Sequence, residues 1–390
     1  MADALPDLSP AELARYRRHL ALPGVGLEGQ RRLAASRVLV VGLGGLGSPA
    51  ALYLAAAGVG RLGLADLDAV EEHNLQRQIL YDGSAVGQPK VEAAARRLAA
   101  LNPHVRLQLH GAVTRANAVE LFSGYDLIVD GTDRFPSRYL INDAAFFARR
   151  PLVHGSVFRF EGQVAVFDSA RGGPCYRCLF PAPPPDGSVP DCSEAGVLGA
   201  LCGAIGSLQA LEAVKYLLGL DPAMPGRLLI VDGLTFQFRA LRLQRDPACP
   251  LCGNQPRLGR QDVGLDLAGA TPDCAPSSPP FPGTPLEITV EEARRQLEST
   301  SGRPTLLDVR EDYEVQICRV ASSVHIPLRE VPHRLGELPR DQPLLVLCHH
   351  GARSRQVTEF LRAHGFPAAT NVQGGIAAWA EHIDPSMARY

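Results

Sequence analysis

The sequence predicts an α/β protein with a Rossmann-like, doubly wound N-terminal domain followed by a smaller α/β domain. Three observations carry this prediction. Short apolar runs of strand length alternate with segments of helical periodicity in both parts of the chain. The first apolar run ends at a glycine-rich loop that leads into a helix. A proline-rich segment separates the two parts, and 390 residues is an ordinary length for two or three domains.

In the first domain, each predicted strand is a short apolar run that ends at glycine or aspartate. Parallel strands that are buried on both faces give such near-continuous apolar runs. We predict strands at Arg37–Val41, Leu62–Ala65 and Leu127–Val129, and helices at Pro49–Ala57 and Val91–Leu101. Ser48 is expected to cap the first of these helices, because proline is favoured at the first helical position.

Two proline-rich segments interrupt the alternation. Pro181–Pro190 contains five prolines and is predicted to be an open loop, and Gly253–Pro285 contains seven and is predicted to be a linker. After it, strand-like runs resume at Thr305–Val309 and Pro343–Leu347. The predicted organisation is therefore a first domain over residues 1–252, a linker over 253–285 and a second domain over 286–390.

Composition excludes several functional classes. The net charge of −2 gives no basic field for nucleic acid. No stretch is expected to reach the roughly 20 apolar residues of a membrane helix, and the N-terminus lacks the pattern of a signal peptide. A cytoplasmic location is expected. The nine cysteines are then thiols, metal ligands or nucleophiles rather than disulfides.

The glycine loop predicts a nucleotide site. Gly42, Gly44 and Gly47 match the G-x-G-x-x-G pattern between a strand and a helix, where the backbone can approach phosphate groups. Asp66 ends the next strand, at the position where a carboxylate can hold ribose hydroxyls. From these residues alone an NAD-type site is the favoured interpretation.

Nearby charges shift the interpretation toward ATP. Arg77 and Lys90 follow Asp66, and a triphosphate needs more cations than the pyrophosphate of a dinucleotide. Solvated surface cations are the alternative explanation for each of them. Asp133 follows the third strand and is a candidate ligand for Mg²⁺, which takes one or two carboxylates together with phosphate oxygens. An ordinary loop or cap aspartate is the alternative.

Two Cys-x-x-Cys pairs predict a metal site. Cys175 and Cys178 form one pair, and Cys249 and Cys252 form the other. Four thiolates complete the tetrahedral shell of a structural Zn²⁺ and leave no open position. Two disulfides or a dithiol redox motif are the alternatives. The expected location disfavours disulfides, and a redox motif needs no second pair.

A third cysteine, Cys348, ends a predicted strand and opens a loop into a helix. Loop amides and the helix N-terminus would stabilise its thiolate, and Arg353 adds positive charge. A phosphatase is the alternative, since it also places a cysteine and an arginine around an anion. Phosphatases, however, use a loop one residue longer than the four residues between Cys348 and Arg353.

Six stretches resemble the ubiquitin-activating superfamily, and specifically the bacterial adenylyltransferases of molybdopterin and thiamine biosynthesis. The tail resembles a rhodanese domain, through Leu307-Asp308-Val309-Arg310 and the Cys348 loop. The fused pair is similar to the molybdopterin-synthase adenylyltransferase/sulfurtransferase type. The six stretches are Val40–Gly47, Asn74–Gln78, Val86–Lys90, Asp130–Asp133, Pro174–Cys178 and Ile205–Ala210.

The resemblance implies roles for named residues. It implies a homodimer in which Arg18 reaches the partner's site, a link between Cys192 and the substrate protein, and a persulfide on Cys348. ATP contacts are implied at Gly45, Asp66, Asn74, Arg77, Lys90 and Asp133.

The expected substrate is a ubiquitin-like sulfur-carrier protein ending in Gly-Gly, with sulfur supplied by a cysteine desulfurase or another donor. The carrier is expected to be adenylated with ATP and Mg²⁺ and then converted to a thiocarboxylate. An NAD-dependent oxidoreductase and a non-catalytic binder of ubiquitin-like tails are the alternatives. Neither a nucleic acid nor a membrane is expected as a partner.

Overall fold

The structure is a computed structural model that describes residues 5–183, 196–220, 226–265, 285–299, 303–340 and 342–390. The chain divides into two compact units, Met1–Thr271 and Pro272–Tyr390, and each is described by itself. Cys192 and most of the predicted open loop Pro181–Pro190 lie outside the described residues.

The first unit is built on an eight-stranded sheet with the order β3-β2-β1-β4-β5-β6-β7-β8. Its first five strands pair in parallel, and β6, β7 and β8 add an antiparallel extension to one side. The strands are β1 Arg37–Val41, β2 Arg61–Ala65, β3 Arg106–His110, β4 Leu127–Asp130, β5 Leu152–Phe158, β6 Glu161–Phe167, β7 Arg227–Asp232 and β8 Gln237–Arg242.

Nine described α-helices accompany this sheet. Two apolar clusters contain side chains from the central strands and from these helices, so the parallel strands are covered by separate hydrophobic layers. The helices are α1 Pro10–Arg15, α2 Arg17–Leu20, α3 Gly26–Ala35, α4 Gly47–Ala57, α5 Lys90–Leu101, α6 Ala118–Ser123, α7 Phe135–Ala148, α8 Tyr176–Leu179 and α9 Gly199–Leu218.

The predicted strands and helices are all present, and their ends lie within one residue of the predicted ones except at the start of α4. That helix begins at Gly47, two residues before the predicted Pro49, and Ser48 does not cap it. The Ser48 hydroxyl instead donates to the carbonyl of Leu43 at 3.2 Å, within the glycine loop. The loop therefore runs directly into the helix without a side-chain cap.

Helix α9 corrects the expectation that no stretch is long and apolar enough to cross a membrane. Its 20 residues include a window of mean hydropathy 1.2, and 44% of that window is buried inside the protein. The helix contributes Leu201, Cys202 and Ile205 to an apolar cluster with β5, β6 and β7. Core helices of globular domains share this length and composition, so the feature is weak evidence for a membrane.

The predicted linker 253–285 begins with residues that pack against the first unit. Val263 is buried in the apolar cluster that holds Tyr139. The backbone N–H of Gly264 donates to Asp143 Oδ2 at 3.0 Å, and the carbonyl of Leu265 accepts from Arg177 at 2.9 Å. The packed part of this unit therefore extends at least to residue 265.

The second unit has a parallel five-stranded sheet with the order β11-β10-β12-β13-β9. Apolar clusters made by its strands and helices, including the chain's single tryptophan Trp379, form its core. The strands are β9 Glu287–Ile288, β10 Thr305–Asp308, β11 Val324–His325, β12 Leu344–Leu347 and β13 Ala369–Val372. The helices are α10 Val290–Glu298, α11 Asp312–Ile317, α12 Ala352–Ala363 and α13 Gly375–His382.

Candidate active sites and metal centre

The glycine loop connects β1 to α4 and has space for glycine alone at two positions. Gly42 has φ +83°, and a Cβ there would lie 2.9 Å from the carbonyl carbon of Gly131. A Cβ on Gly47 would lie 1.8 Å from the carbonyl oxygen of Gly42. A side chain at Gly42 would therefore push the loop away from Gly131, which follows β4, and a side chain at Gly47 would clash with the backbone of the glycine loop itself.

A cavity of about 440 Å³ opens beside this loop, at the carboxyl ends of the parallel strands. In doubly wound sheets this edge is the usual place for a ligand. Its lining contains every predicted nucleotide-binding residue except Gly47, together with residues of the β4–α7 loop. The predicted lining residues are Gly42, Gly44, Gly45, Asp66, Asn74, Arg77, Lys90 and Asp133.

Asp66 fastens the glycine loop to the end of β2. Its Oδ2 accepts from the backbone N–H of Leu43 at 2.7 Å, and its Oδ1 accepts from the N–H of Asp68 at 2.9 Å. The carboxylate thus holds the loop in place and also lines the cavity. Its contact with a ribose stays a prediction.

Lys90 is the most buried of the predicted cations, with 5% of its surface exposed. Its Nζ donates to Asp68 Oδ2 at 2.9 Å, at the wall of the cavity. Asp68 was missed at the sequence level. The signal was available, because Asp68 lies two residues beyond the predicted ribose ligand Asp66.

Arg77 and Asn74 lie close together in the chain and line the same cavity. Arg77 Nη1 donates to the carbonyl of His73 at 3.2 Å, and Asn74 Oδ1 accepts from Gln78 at 2.5 Å. Gly45 packs below them, since a Cβ there would lie 3.2 Å from the sulfur of Cys202. The glycine loop, this segment and the start of α9 therefore meet in one place.

The β4–α7 loop supplies Asp133 and a cation that sequence reasoning missed. Asp133 is exposed at the cavity, where a carboxylate remains accessible to a hydrated metal ion. Arg138 lies one turn into α7 and is 8% exposed, and its Nε has no hydrogen-bond partner among the described residues. The available signal was its place five residues after Asp133, in the segment where the loop enters α7.

Asp130 and His154 form a buried pair at the start of the same loop. Asp130 Oδ1 accepts from the backbone N–H and the hydroxyl of Thr132, at 3.0 and 2.7 Å. Its Oδ2 lies 3.0 Å from Nδ1 of His154. Burial lowers the pKa of His154, so the ring is neutral and acts as an N–H donor to Asp130.

Arg18 lies on α2, on the exposed surface, and is not part of the described cavity. Its predicted place in the site of a partner subunit stays a prediction.

The four predicted metal ligands converge on one point. Cys175 Sγ lies 4.0 Å from Cys178 Sγ and 3.6 Å from Cys249 Sγ. Cys178 Sγ lies 3.3 Å from Cys252 Sγ, and all four sulfurs are within 4.8 Å of one another. A tetrahedral Zn²⁺ with bonds of about 2.3 Å would separate sulfurs by about 3.8 Å. The cluster therefore has the size of a four-thiolate metal site, and all four cysteines are unbridged.

In the second unit, Cys348 lies at the carboxyl end of β12 with its sulfur buried in a cradle. The sulfur accepts from the backbone N–H of Gly351 at 3.1 Å and from the hydroxyl of Ser354 at 3.2 Å. Ser354 was not singled out from the sequence, although it directly follows Arg353. Such donors stabilise a negatively charged sulfur.

Arg353 forms an ion pair with a buried carboxylate of α11. Its Nη1 and Nη2 donate to Oε2 and Oε1 of Glu314, each at 2.7 Å. Glu314 is buried, and although burial alone would raise its pKa, the bonds from Arg353 and others lower it overall. The predicted arginine thus braces the loop against α11, and Glu314 was missed because its partner lies 39 residues away.

Comparison with known proteins identifies both parts. Residues 16–251 match the ThiF family, and residues 289–382 match the rhodanese-like domain. The chain belongs to the ThiF family and carries a C-terminal rhodanese-like domain.

Relatives with both domains cover nearly the whole chain. A Mycobacterium tuberculosis protein named probable adenylyltransferase/sulfurtransferase MoeZ is 42% identical over 98% of this chain and 96% of its own length. Adenylyltransferase and sulfurtransferase MOCS3 of Bos taurus is 42% identical over 98% of this chain and 89% of its own. This ThiF-family chain is therefore an enzyme of the adenylyltransferase and sulfurtransferase class.

Solved structures support the fold of the first unit. Escherichia coli MccB superposes with a TM-score of 0.55 at 20% identity, covering 64% of this chain and 75% of its own. PaaA superposes with a TM-score of 0.52 at 24% identity, covering 63% of this chain and 78% of its own. At these identities the likeness concerns the fold alone.

Proposed function

We propose that this chain adenylates the C-terminal carboxylate of a ubiquitin-like sulfur-carrier protein ending in Gly-Gly and then converts it to a thiocarboxylate. One observation carries the proposal. A single chain combines a cation-lined cavity beside a glycine loop with a cysteine sulfur held by loop donors. Relatives named for adenylyl and sulfur transfer contain the same two domains.

The cavity of the first unit is the ATP site in this proposal. Lys90, Arg77 and the partly unsatisfied Arg138 line it and would hold the phosphate groups. Asp66 and Asn74 would contact the nucleoside, and the amides of the glycine loop would contact phosphate. Mg²⁺ held through Asp133 would supply further positive charge for the triphosphate.

In the first step, an oxygen of the carrier's terminal carboxylate attacks the α-phosphorus of ATP. The bond from that phosphorus to the bridging oxygen breaks, and pyrophosphate leaves. The product is an acyl-adenylate. Arg77 and Lys90 would stabilise the charge that develops on the phosphate oxygens, and Arg18 from a second copy would add to them in a homodimer.

In the second step, Cys348 carries a persulfide that a cysteine desulfurase or another sulfur donor has loaded. The terminal sulfur attacks the acyl carbon, and AMP leaves with the electron pair of the broken C–O bond. The result is an acyl disulfide on Cys348. The thiolate of Cys192 then attacks the Cys348 sulfur and releases the thiocarboxylate, and an external dithiol reduces the disulfide that forms between the two cysteines.

The four-cysteine cluster is the place of a structural Zn²⁺ in this proposal. All four positions of a tetrahedral ion would be filled by Cys175, Cys178, Cys249 and Cys252, which leaves none for a substrate. One cysteine pair precedes α9 in the sequence and the other follows it, so the ion would connect two parts of the first unit that lie about 70 residues apart in the chain. We infer no catalytic part for it.

The alternatives from the sequence are not favoured. An NAD-dependent oxidoreductase does not explain the sulfur cradle around Cys348 or the relatives' second domain. A non-catalytic binder does not explain the buried cation at the cavity wall. We propose that the enzyme acts in the cytoplasm.

The test uses the full chain with a Gly-Gly-ending carrier encoded in the same genome, ATP, Mg²⁺ and a persulfide donor. The wild-type enzyme should exchange pyrophosphate into ATP and raise the carrier's intact mass by the difference between sulfur and oxygen. Cys348→Ala should keep the exchange and lose the mass change, whereas Cys318→Ala, in the same unit, should keep both. Cys192→Ala should keep the exchange with a smaller loss of thiocarboxylate.

Two outcomes would contradict the proposal. Carrier binding without pyrophosphate exchange would leave only a binding module. A mass change that persists in Cys348→Ala with the same donor would remove the second unit from sulfur transfer.

A further inference from the structure

An aromatic stack lies against the loop that holds the Cys348 sulfur. The ring of Tyr390 packs on that of His349, with centroids 4.4 Å apart and planes 30° apart. His349 in turn stacks on His350 at 4.0 Å. Because His349 directly follows Cys348, the stack fixes one side of the loop.

The phenol group of Tyr390 also enters a polar network. Its oxygen accepts from Arg310 Nη1 at 2.7 Å and donates to Glu314 Oε1 at 3.1 Å. Burial raises the pKa of Tyr390, so the hydroxyl keeps its proton near neutral pH. Arg310 is itself fixed by a buried ion pair with Asp308, at the end of β10.

The same Glu314 connects Tyr390 to the far end of the loop. Its carboxylate receives both terminal nitrogens of Arg353. One side chain therefore reaches the loop twice, through its ring at His349 and through Glu314 at Arg353. The amide of Gly351, which donates to the Cys348 sulfur, lies between these two points.

We propose that Tyr390 is a positioning residue for sulfur transfer, which holds the Cys348 loop so that its donors stay directed at the sulfur. The proposal rests on sulfur transfer at Cys348 in the function proposed above. When both ends of the loop are fixed, its hydrogen-bond donors keep their positions while the sulfur of Cys348 gains and gives up a second sulfur atom. Small displacements of reacting groups lower the reaction rate strongly. About 40% of the Tyr390 surface is exposed, so its substitution should leave the core of the unit folded.

The experiment measures sulfur transfer by the full chain from thiosulfate to cyanide. The Cys348 thiolate attacks the outer sulfur of thiosulfate, sulfite leaves, and cyanide then removes the terminal sulfur of the persulfide as thiocyanate. Tyr390→Phe keeps the stack and loses both hydrogen bonds, and Tyr390→Leu loses both features. Ser386→Ala is the matched control, because its hydroxyl bonds Asp384 in the same segment.

For Tyr390→Leu we expect kcat to fall about tenfold, with a smaller fall for Tyr390→Phe, since loop placement rather than sulfur access changes. KM for thiosulfate should stay within about twofold. The fraction of chains that carry one persulfide, read by intact mass, should remain that of the wild type. Ser386→Ala should match the wild type throughout.

Wild-type kcat in Tyr390→Leu would overturn the inference while leaving the proposed function intact. If thiosulfate without cyanide, left to react to completion, loads fewer chains and this deficit accounts for the whole loss of kcat, the inference is also overturned, because chains that never load are misfolded. Activity that survives in Cys348→Ala would instead contradict the proposed function itself.

Discussion

Lys90 Nζ donates to Asp68 Oδ2 at 2.9 Å, and the two side chains differ sharply in exposure, with 6% for Lys90 and 60% for Asp68. A buried ammonium group needs a partner, and an exposed carboxylate can supply one while remaining free to turn into water. We infer that phosphate oxygens take over this partnership when nucleotide binds. In the absence of nucleotide, Lys90 is then paired at the cavity wall with a carboxylate that can move away into water.

The first prediction concerns this cation. Lys90→Met keeps the length of the side chain and removes its charge, and it should lower carrier-dependent pyrophosphate exchange by about 100-fold, as expected for a lost charged hydrogen bond. Exchange of labelled pyrophosphate into ATP measures the effect. Arg97→Met, on the exposed face of the same helix α5, is the control and should keep wild-type exchange. Equal rates for both variants would show that Lys90 does not touch the nucleotide.

A second prediction addresses the Mg²⁺ proposed for the nucleotide site. Asp133→Ala should abolish pyrophosphate exchange at ordinary Mg²⁺ concentrations, because it removes the exposed carboxylate that the cavity offers to a hydrated ion. A titration with Mg²⁺ should restore part of the rate only at much higher concentration. Asp82→Ala, at an exposed turn, serves as the control. Exchange at the wild-type rate in Asp133→Ala would remove this residue from metal binding.

The third prediction is that each chain holds one tightly bound Zn²⁺. Cys249→Ser should lose the metal and lower the stability of the first unit by more than about 2 kcal/mol, since metal binding contributes to folding. Elemental analysis and thermal unfolding of the full chain measure the two effects. Cys202→Ser changes a buried cysteine outside the cluster and should retain zinc. Protein that is folded and zinc-free without any chelator would refute the assignment.

The fourth prediction is a pH dependence of the second unit. Burial, followed by the neighbouring His350, lowers the pKa of His349 from 6.5 to about 4. As pH falls from 6.5 toward 4, the unfolded chain takes up a proton at this ring and the folded chain does not. Stability present above pH 6.5 is therefore lost through this window.

Urea unfolding followed by the fluorescence of Trp379, the single tryptophan, isolates this unit. Glu314, Arg353 and Arg310 also act on the ring, and the comparison with His349→Asn at each pH separates the histidine from them. The variant should lose less stability between pH 7 and pH 5 than the wild type. Parallel losses in both proteins would contradict the assignment.

Much of the fold was predictable because its parallel strands are short apolar runs. Arg37–Val41 is a strand over its whole predicted length, and α5 begins only one residue before its predicted start at Val91. The antiparallel extension was not predicted. Strands β6 and β7 do contain the apolar runs Val164–Phe167 and Leu228–Val231, which the sequence analysis did not assign, whereas every residue of β8 is exposed and its sequence lacks such a run. The start of α4 was misplaced, since the loop's glycines enter the helix without a side-chain cap.

The candidate sites show the same division between local and distant signals. The glycine loop, the cysteine pairs and Cys348 are recognisable because their chemistry lies in adjacent residues. Glu314 and Tyr390 were missed because each meets the Cys348 loop only after folding, from 39 and 41 residues away along the chain. A buried arginine needs a hydrogen-bonding partner of opposite charge in the folded protein, but a single sequence does not show which distant residue supplies it.

The contacts of residues 263–265 affect how the enzyme can be divided by proteolysis or truncation. Arg177 and Asp143 form a fully buried ion pair. Residues 264 and 265, which follow the cysteine cluster in the chain, give each of them a further bond from the backbone. A fragment that stops at residue 252 would expose this pair to water and leave a hole where Val263 packs. A protease that cuts beyond residue 265 would preserve it. A fragment designed to keep the first unit intact should therefore extend past the four-cysteine cluster and include residue 265, whose carbonyl bonds this ion pair.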